Sequence, residues 1–274
     1  MKTKIYVITG ATSGIGKALA EVLAKNGNIV FAGYRSEVKG KELSLISENI
    51  YPFYVDYAKP ETIVKAVEFI KSKTDKLDTL INIAGCVVAG PVEKLNMDEV
   101  RRQFNVNVFG HIEIAQGLVD ILENGKVINI SSMASFGIFP FISPYCASKR
   151  CLDMFFNSFL IENKRNIKVV SIKPGVIVTP LWEKSIKENT KLMEQCEGYE
   201  KEMTFISNNA RKNETKGLDV NKVVEIILKA DKAKTSKLSY TVGLDAFCAN
   251  LVSKLPQGLV NEIVKLGLKL RLKG

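Results

Sequence analysis

A serine, a tyrosine and a lysine lie close together in the chain and have side chains that could move a proton. Tyr145 and Lys149 are four residues apart, so on a helix they share one face, one turn apart. An ammonium group beside a phenol lowers the pKa of the tyrosine, which would suit proton transfer near neutral pH. Ser132 precedes them and could direct its hydroxyl to the same point. Without further context, a tyrosine and a lysine at this spacing more often belong to a solvated helix face, so the surrounding elements must decide.

The start of the chain predicts a turn that binds phosphate groups. The residues Ile5–Ile8 form an apolar, β-branched run that is typical of a buried strand, and a helical pattern begins near Ala18. Between them, Gly10 permits a tight turn, while Gly14 and Gly16 permit close approach of the backbone to phosphate and of helix to strand. The amino end of the helix would offer amide donors to a dinucleotide pyrophosphate.

Strand-like and helix-like segments alternate along the whole chain. Strands are predicted at residues 5–8, 28–34, 52–55, 77–83, 126–131, 167–172 and 238–242, and helices at 60–72, 97–122, 144–163 and 220–230. This pattern favours a single α/β domain over residues 1–274, with one doubly wound, Rossmann-type parallel sheet of about seven strands and helices on both faces. The polar, weakly patterned residues 180–217 are predicted to be an inserted substrate loop.

Composition excludes several classes of protein. The formal net charge is +10, but glutamates are interspersed among the lysines, which favours a solvated surface over nucleic-acid binding. Five cysteines without a C-x-x-C pair favour reduced thiols in a cytoplasmic protein. The single histidine, His111, excludes a histidine-based triad, is expected to be structural, and leaves no metal site expected. We expect neither a signal peptide nor a membrane span.

Five motifs follow one another in a fixed order. They are T-G-x-x-x-G-x-G from Thr9, N-x-A-G at residues 82–85, Asn107, Ser132 with Tyr145 and Lys149, and Pro174-Gly175 followed by Thr179. Together they resemble the short-chain dehydrogenase/reductase family over essentially the whole chain. The resemblance implies hydride transfer between a nicotinamide and a carbonyl or carbinol carbon, with Tyr145 exchanging the proton. It further implies that Lys149 tunes the tyrosine and binds the ribose, Ser132 holds the substrate oxygen, and Asn107 holds a relay water.

The resemblance also implies which residues contact the cofactor. They are Gly10, Thr12, Ser13, Gly14, Ile15 and Gly16 at the phosphate turn, Asp56 at the adenine, Asn82, Ala84 and Gly85 after the fourth strand, Tyr145 and Lys149, and Pro174, Gly175, Ile177 and Thr179 around the nicotinamide.

The end of the second strand predicts the type of nicotinamide cofactor. It carries Tyr34 and Arg35 where NAD-dependent proteins usually carry a carboxylate for the ribose hydroxyls. Arginine suits a 2′-phosphate in charge and geometry, so NADP(H) is favoured over NAD(H). The alternative is that Arg35 is a solvent-exposed cation of the loop.

The substrate is predicted to be a small hydrophobic carbonyl or alcohol that is steroid-, retinoid- or lipid-like. Six apolar side chains fall near the expected pocket wall, although some could pack in the core: Phe136, Ile138, Phe139, Phe141, Trp182 and Phe205. One alternative is a 3-oxoacyl-carrier-protein reductase, whose acidic carrier would suit the basic surface. A second is a cofactor-binding sensor on the same fold, which the intact tyrosine and lysine disfavour.

The tail at residues 249–274 is predicted to be amphipathic. Its apolar residues alternate with Lys265, Lys269, Arg271 and Lys273. Such a helix could lie on an anionic membrane surface, cover the pocket or pack in a dimer. The family resemblance implies a homodimer or homotetramer assembled through the long helices.

Overall fold

A computed structural model describes residues 2–182, 184–185, 196–235 and 237–273. Its centre is a parallel sheet of seven strands in the order β3-β2-β1-β4-β5-β6-β7. The strands are β1 Ile5–Ile8, β2 Ile29–Tyr34, β3 Ile50–Tyr54, β4 Thr79–Asn82, β5 Lys126–Ile130, β6 Lys168–Pro174 and β7 Ser239–Val242. The predicted doubly wound α/β fold is therefore confirmed, and the strand order reverses between β1 and β4, where such sheets bind ligands.

Helices connect the strands and cover the sheet. Those described are α1 Gly14–Lys25, α2 Glu37–Ser44, α3 Pro60–Lys71, α4 Met97–Phe104, α5 Gly110–Leu118, α6 Ser143–Glu162, α7 Glu200–Asn213, α8 Val220–Lys232, α9 Leu244–Val252 and α10 Gln257–Lys273. No helix in the described ranges combines the length and the apolar character that crossing a membrane requires.

The alternation of side chains along each strand produces two cores. Tyr6 and Ile8 face one side of the sheet, where they pack with the apolar faces of α1 and α8. Val7, between them, faces the other side and packs with α3, α5 and α6. Because both faces are covered, the central strands are mostly apolar, and this is why the sequence predicts them well.

Three elements differ from the sequence prediction. The helix predicted over residues 97–122 is interrupted by a π-helical turn at Asn105–Phe109, which separates α4 from α5. The polar helix α2 was not predicted, and α7 lies inside the segment 180–217 that was predicted to be a loop. Both are rich in charged residues and lack the apolar periodicity on which the prediction rests.

A buried carboxylate joins the amino ends of the strands to α8. Asp231 accepts hydrogen bonds from Lys4 Nζ at 2.8 Å, Tyr6 Oη at 2.9 Å and Thr79 Oγ1 at 2.7 Å. Burial alone would raise the pKa of Asp231, but these hydrogen bonds lower it below its usual value. Lys126 Nζ donates to the carbonyl oxygen of Asp231 at 2.8 Å and to others at the carboxyl end of α8, where a cation is favoured.

Candidate active site

The glycine turn between β1 and α1 forms a cradle of backbone. Gly10 and Gly14 have positive φ angles of 68° and 52°, in the left-handed region that favours glycine. A Cβ atom on Gly16 would lie 2.3 Å from the carbonyl oxygen of Gly10, so α1 begins in direct contact with the turn. Within the described part of the chain, the Ser13 side chain makes no capping hydrogen bond to α1. The first amides of α1 therefore fit a pyrophosphate.

Ser132, Tyr145 and Lys149 converge where β5 ends and α6 begins. Tyr145 and Lys149 are both buried on α6, and Lys149 Nζ lies 5.8 Å from the centre of the Tyr145 ring. Lys149 Nζ donates a hydrogen bond of 2.8 Å to the carbonyl oxygen of Ile130, the last residue of β5. Ser132 Oγ accepts a hydrogen bond of 3.1 Å from the Ala134 amide, which holds the serine just beyond the end of β5. The three groups therefore form one polar centre held by a strand end and the first turns of a helix.

The electrostatics of this centre correct one expectation. Burial raises the pKa of Tyr145 to about 12, and the neighbouring Ser132 hydroxyl only partly opposes that shift. The predicted lowering of the tyrosine pKa by Lys149 is wrong for this arrangement, because desolvation dominates and the ammonium group is bound to the Ile130 carbonyl. At neutral pH Tyr145 therefore holds its proton, a state that suits donation.

Lys149 has a carboxylate neighbour on its own helix. Burial lowers the pKa of Lys149 to about 8, and the negative charge of Asp153 opposes that shift. Asp153 is itself buried and forms an ion pair of 2.7 Å with Lys173 on β6, whose Nζ lies 4.6 Å from the centre of the Phe136 ring. The pair joins α6 to the strand that leads into Pro174. The sequence signal for the contact between Lys149 and Asp153 is their four-residue spacing, which places them on one face of α6.

Asn107 lies behind the polar centre in the π-helical turn. Its Oδ1 accepts from the Cys86 amide at 2.9 Å, and its Nδ2 donates to the Cys86 carbonyl and to Ser148 Oγ, both at 3.0 Å. A Cβ atom on Gly85 would lie 3.4 Å from Asn107 Oδ1 and 3.7 Å from Lys149 Nζ. Gly85 therefore allows the asparagine and the lysine to approach from either side of the same backbone.

His111 is placed as a structural residue. It is buried, its Nε2 lies 2.8 Å from the carbonyl oxygen of Ala84, and burial lowers its pKa to about 3. The neutral ring therefore donates to the loop after β4 and positions Ala84.

One cleft contains most of the residues that the sequence singled out. Its lining includes Gly10, Thr12, Ser13, Gly14, Ile15, Arg35, Asp56, Ala84, Gly85, Ser132, Tyr145, Lys149, Pro174, Gly175, Ile177 and Thr179. Three of the predicted residues lie behind that lining: Gly16 packs on the turn, Asn107 is bonded to Cys86, and Asn82 Nδ2 donates to Asn129 Oδ1 at 2.8 Å. A groove that joins the glycine cradle to the polar centre has the extended form that a dinucleotide requires.

The apolar wall of the cleft is only partly as predicted. Of the six apolar residues expected there, Phe139 and Trp182 line the cleft. Phe136 packs against Lys173, Ile138 is exposed, and the Phe141 ring lies 6.3 Å from that of Tyr199, so those three were misplaced. Phe205, on α7, is not among the lining residues either. The cleft wall also contains apolar residues that were not predicted to lie there, namely Val87, Met133, Ile142 and Leu181.

Comparison with known proteins identifies the family to which the fold and the cleft correspond. A family model for short chain dehydrogenase matches residues 4–190. The uncharacterized oxidoreductase YusZ of Bacillus subtilis is 29% identical over 254 residues, which cover 89% of this chain and 90% of that protein. The NADPH-dependent 1-acyldihydroxyacetone phosphate reductase of Saccharomyces cerevisiae is 33% identical over 204 residues, covering 72% and 69%.

Solved structures share the fold. A short chain dehydrogenase from Burkholderia cenocepacia, solved in complex with NADP, superimposes with a TM-score of 0.75 at 20% identity, covering 96% of this chain and 98% of that one. At this identity the likeness concerns the fold.

Proposed function

We propose a specific activity for this chain, which belongs to the short-chain dehydrogenase family of oxidoreductases acting on alcohols and ketones: the reduction of a hydrophobic carbonyl compound with NADPH. The observation that carries the proposal is that one cleft holds the glycine cradle, Arg35, the Ser132–Tyr145–Lys149 centre and an apolar wall. Tyr145 carries its proton at neutral pH, as a group that donates to a carbonyl oxygen must.

The chain's own residues would supply the proton and the charge stabilisation. The cofactor, when bound, supplies the hydride. Tyr145 gives its phenolic proton to the carbonyl oxygen, and Ser132 donates a hydrogen bond to the same oxygen as negative charge develops. Lys149, one turn further along α6, would donate a hydrogen bond to the ribose of the cofactor. The glycine cradle would hold the pyrophosphate, and Pro174 and Gly175 would lie against the nicotinamide.

The cofactor preference rests on the carboxyl end of β2. Tyr34 and Arg35 line the cleft there, with the Thr12 and Ser13 hydroxyls on the neighbouring turn. The nearest carboxylate in sequence, Glu37, accepts a hydrogen bond of 3.2 Å from the Tyr34 hydroxyl and does not line the cleft. A guanidinium beside hydroxyl donors matches a ribose 2′-phosphate, and the yeast relative is named as NADPH-dependent.

Replacing Arg35 by aspartate is expected to shift the ratio of kcat/KM for NADPH over NADH towards NADH by about tenfold to a hundredfold, the strength of a charge-assisted hydrogen bond. The ratio is measured from initial rates with each cofactor at a fixed carbonyl concentration. Lys39→Asp is the matched control, because Lys39 is an exposed cation of the same segment that does not line the cleft. A ratio that Arg35→Asp leaves unchanged, or that both variants shift equally, removes Arg35 from the phosphate site.

The Asp153–Lys173 pair makes a prediction about pH. Because the Asp153 carboxylate raises the pKa of Lys149, Asp153→Asn lets burial lower that pKa further, so the ammonium is lost at a lower pH. The basic limb of the kcat profile is expected to move down by about one pH unit. Lys173→Met should move it up, since Asp153 then acts on Lys149 alone. Shifts of the same sign in both variants contradict this account.

We propose that the substrate is hydrophobic because the wall beside Tyr145 is apolar. Phe139, Ile142 and Leu181 pack around Tyr145, and Trp182 also lines the cleft. Leu181 and Trp182 belong to the predicted substrate loop 180–217, and Ser185 Oγ in the same segment donates to the Val87 carbonyl at 3.1 Å. Residues 183 and 186–195 of that loop lie outside the described ranges. NADPH consumption with steroid, retinoid, long-chain acyl and sugar carbonyls tests the proposal, and turnover confined to sugars overturns it.

We also propose a cytoplasmic homodimer or homotetramer. All five cysteines are free thiols, as suits a reducing compartment. Exposed apolar side chains on the outer surface of α6 and the adjacent π-helical turn support assembly there, namely Phe109, Met154, Phe155 and Ile161.

A further inference from the structure

The two carboxyl-terminal helices present a row of large apolar side chains to solvent. This row, called the C-terminal stripe, consists of Leu244, Phe247, Leu251, Leu255, Leu259, Ile263, Leu266 and Leu270. Their exposed fractions run from 39% at Leu255 to 85% at Leu244. Successive members are three or four residues apart, so within each helix they lie along one side. Single exposed apolar residues are ordinary, but a group of this size on two consecutive helices and the turn between them marks an interaction surface.

The stripe is separate from the contacts that hold α10 on the protein. Val260 is buried, and Val264 and Leu268, one and two turns further on, are partly buried. These residues form the face of α10 that packs inward. The Ile263, Leu266 and Leu270 side chains lie on a different face, so α10 has one apolar face for the fold and a second that the fold does not use.

The charges around the stripe indicate what it meets. Residues 244–273 contain five lysines and arginines against two carboxylates. Lys265 and Lys269 are one turn apart on α10, and of these Lys265 is paired with Glu262 at 2.8 Å. A second copy of the same surface would bring cations towards cations, whereas an anionic lipid surface offers the opposite charge.

The stripe begins next to the cleft. Asp245, in the first turn of α9, accepts a hydrogen bond of 2.7 Å from the Val176 amide. A Cβ atom on Gly175 would lie 1.9 Å from Asp245 Oδ1, so α9 is seated directly on the turn that lines the cleft. Leu244, the first and most exposed member of the stripe, is adjacent to this contact.

We propose that the C-terminal stripe docks the protein on an anionic lipid bilayer, with α9 and α10 lying in the interface. Exposed leucine and phenylalanine side chains would enter the boundary between head groups and acyl chains, while the lysines meet lipid phosphates. The rim of the cleft would then face the lipid, and a hydrophobic carbonyl could reach it from the bilayer. Docking itself does not depend on the proposed cofactor or substrate, because it is measured without turnover.

Cosedimentation of the full chain with vesicles tests the proposal. The wild type is expected to bind vesicles of phosphatidylcholine with phosphatidylglycerol, and to bind phosphatidylcholine alone at least about tenfold more weakly. The triple variant Ile263→Glu/Leu266→Glu/Leu270→Glu should lose at least about tenfold in the partition coefficient, and the single variant Leu266→Glu part of that. Lys269→Glu should weaken binding only where phosphatidylglycerol is present.

Val64→Glu is the matched control, since it places a carboxylate at an apolar α3 residue that is 58% exposed and far in sequence from the stripe. It should bind vesicles like the wild type. A wild type that stays in solution with anionic vesicles overturns the proposal. So does a triple variant that binds like the wild type, or one whose mass by light scattering is half that of the wild type, which would make the stripe a contact between copies.

Turnover of a water-soluble ketone without vesicles is expected to be equal in the wild type and the triple variant. This measurement depends on the proposed reductase activity, whereas vesicle binding does not, so the two proposals fail separately.

Discussion

Replacing Tyr145 by phenylalanine is expected to lower kcat by about a thousandfold, within the range that a positioned general acid contributes. The substitution removes the phenolic oxygen alone, and the buried ring keeps its packing and its place beside Lys149. Ser132, which we propose holds the substrate oxygen, is a much weaker acid than a phenol, so water would have to supply the proton. The affinity for NADPH should change by less than about threefold, because the glycine cradle and Arg35 remain.

The measurement combines single-turnover absorbance of NADPH with a fluorescence titration of the cofactor. Tyr54→Phe serves as the control, since it removes a phenol from β3 that does not line the cleft. It should leave both quantities at their wild-type values. If Tyr145→Phe retains most of its turnover, the proton comes from another group and the assignment of the centre is wrong.

Replacing Gly16 by valine is expected to abolish measurable NADPH binding, with a loss of at least about a hundredfold in affinity. Even the first carbon of a side chain at Gly16 would lie 2.3 Å from the carbonyl oxygen of Gly10. The atoms it would meet belong to the backbone, so no side chain can rotate to make room. Relief requires α1 to move away from β1, which displaces the amides that would bind the pyrophosphate. Overpacking of this kind also costs about 1–3 kcal/mol of stability.

The melting temperature with and without NADPH separates the two effects. Gly16→Val should melt lower than the wild type and gain no stability from NADPH, because a ligand stabilises only a state that binds it. Gly258→Ala is the matched control, since a Cβ atom there meets nothing within 4 Å. A Gly16→Val protein that NADPH stabilises as strongly as it does the wild type would show that the cradle does not bind the cofactor.

Much of the fold could be predicted from the sequence, because the central strands are buried on both faces and are therefore mostly apolar. β1 and β5 are rich in valine and isoleucine, and their spacing from the helical segments predicted a parallel sheet. The candidate site at Ser132, Tyr145 and Lys149 was predicted from the strand end and helix start that carry these residues, together with the family resemblance. Helices α2 and α7 could not be predicted from the sequence, because they lack the periodic apolar residues that mark a helix.

The features that the sequence did not predict depend on how residues distant in sequence pack together. Asp153 and Lys173 meet only because α6 packs beside β6, and no local pattern predicts that contact. The pKa of Tyr145 depends on the depth of burial, which the tyrosine–lysine spacing does not report. The cleft wall was misjudged because Phe141 adopts a positive φ of 67°, which turns the loop so that Ile142 and not Phe141 faces the cleft.

The buried Asp231 carboxylate has a consequence for how the protein is made. Tyr6 and Thr79 emerge early from a ribosome, yet their hydrogen-bond acceptor follows 225 and 152 residues later. Contacts between residues so far apart in sequence form slowly, because a long loop must close first. The hydroxyls of Tyr6 on β1 and Thr79 on β4 therefore gain their acceptor only once α8 has been made and has packed. Every motif of the cleft has been translated by then. In the order of synthesis, the carboxylate that Tyr6 and Thr79 require thus comes after every residue that lines the cleft.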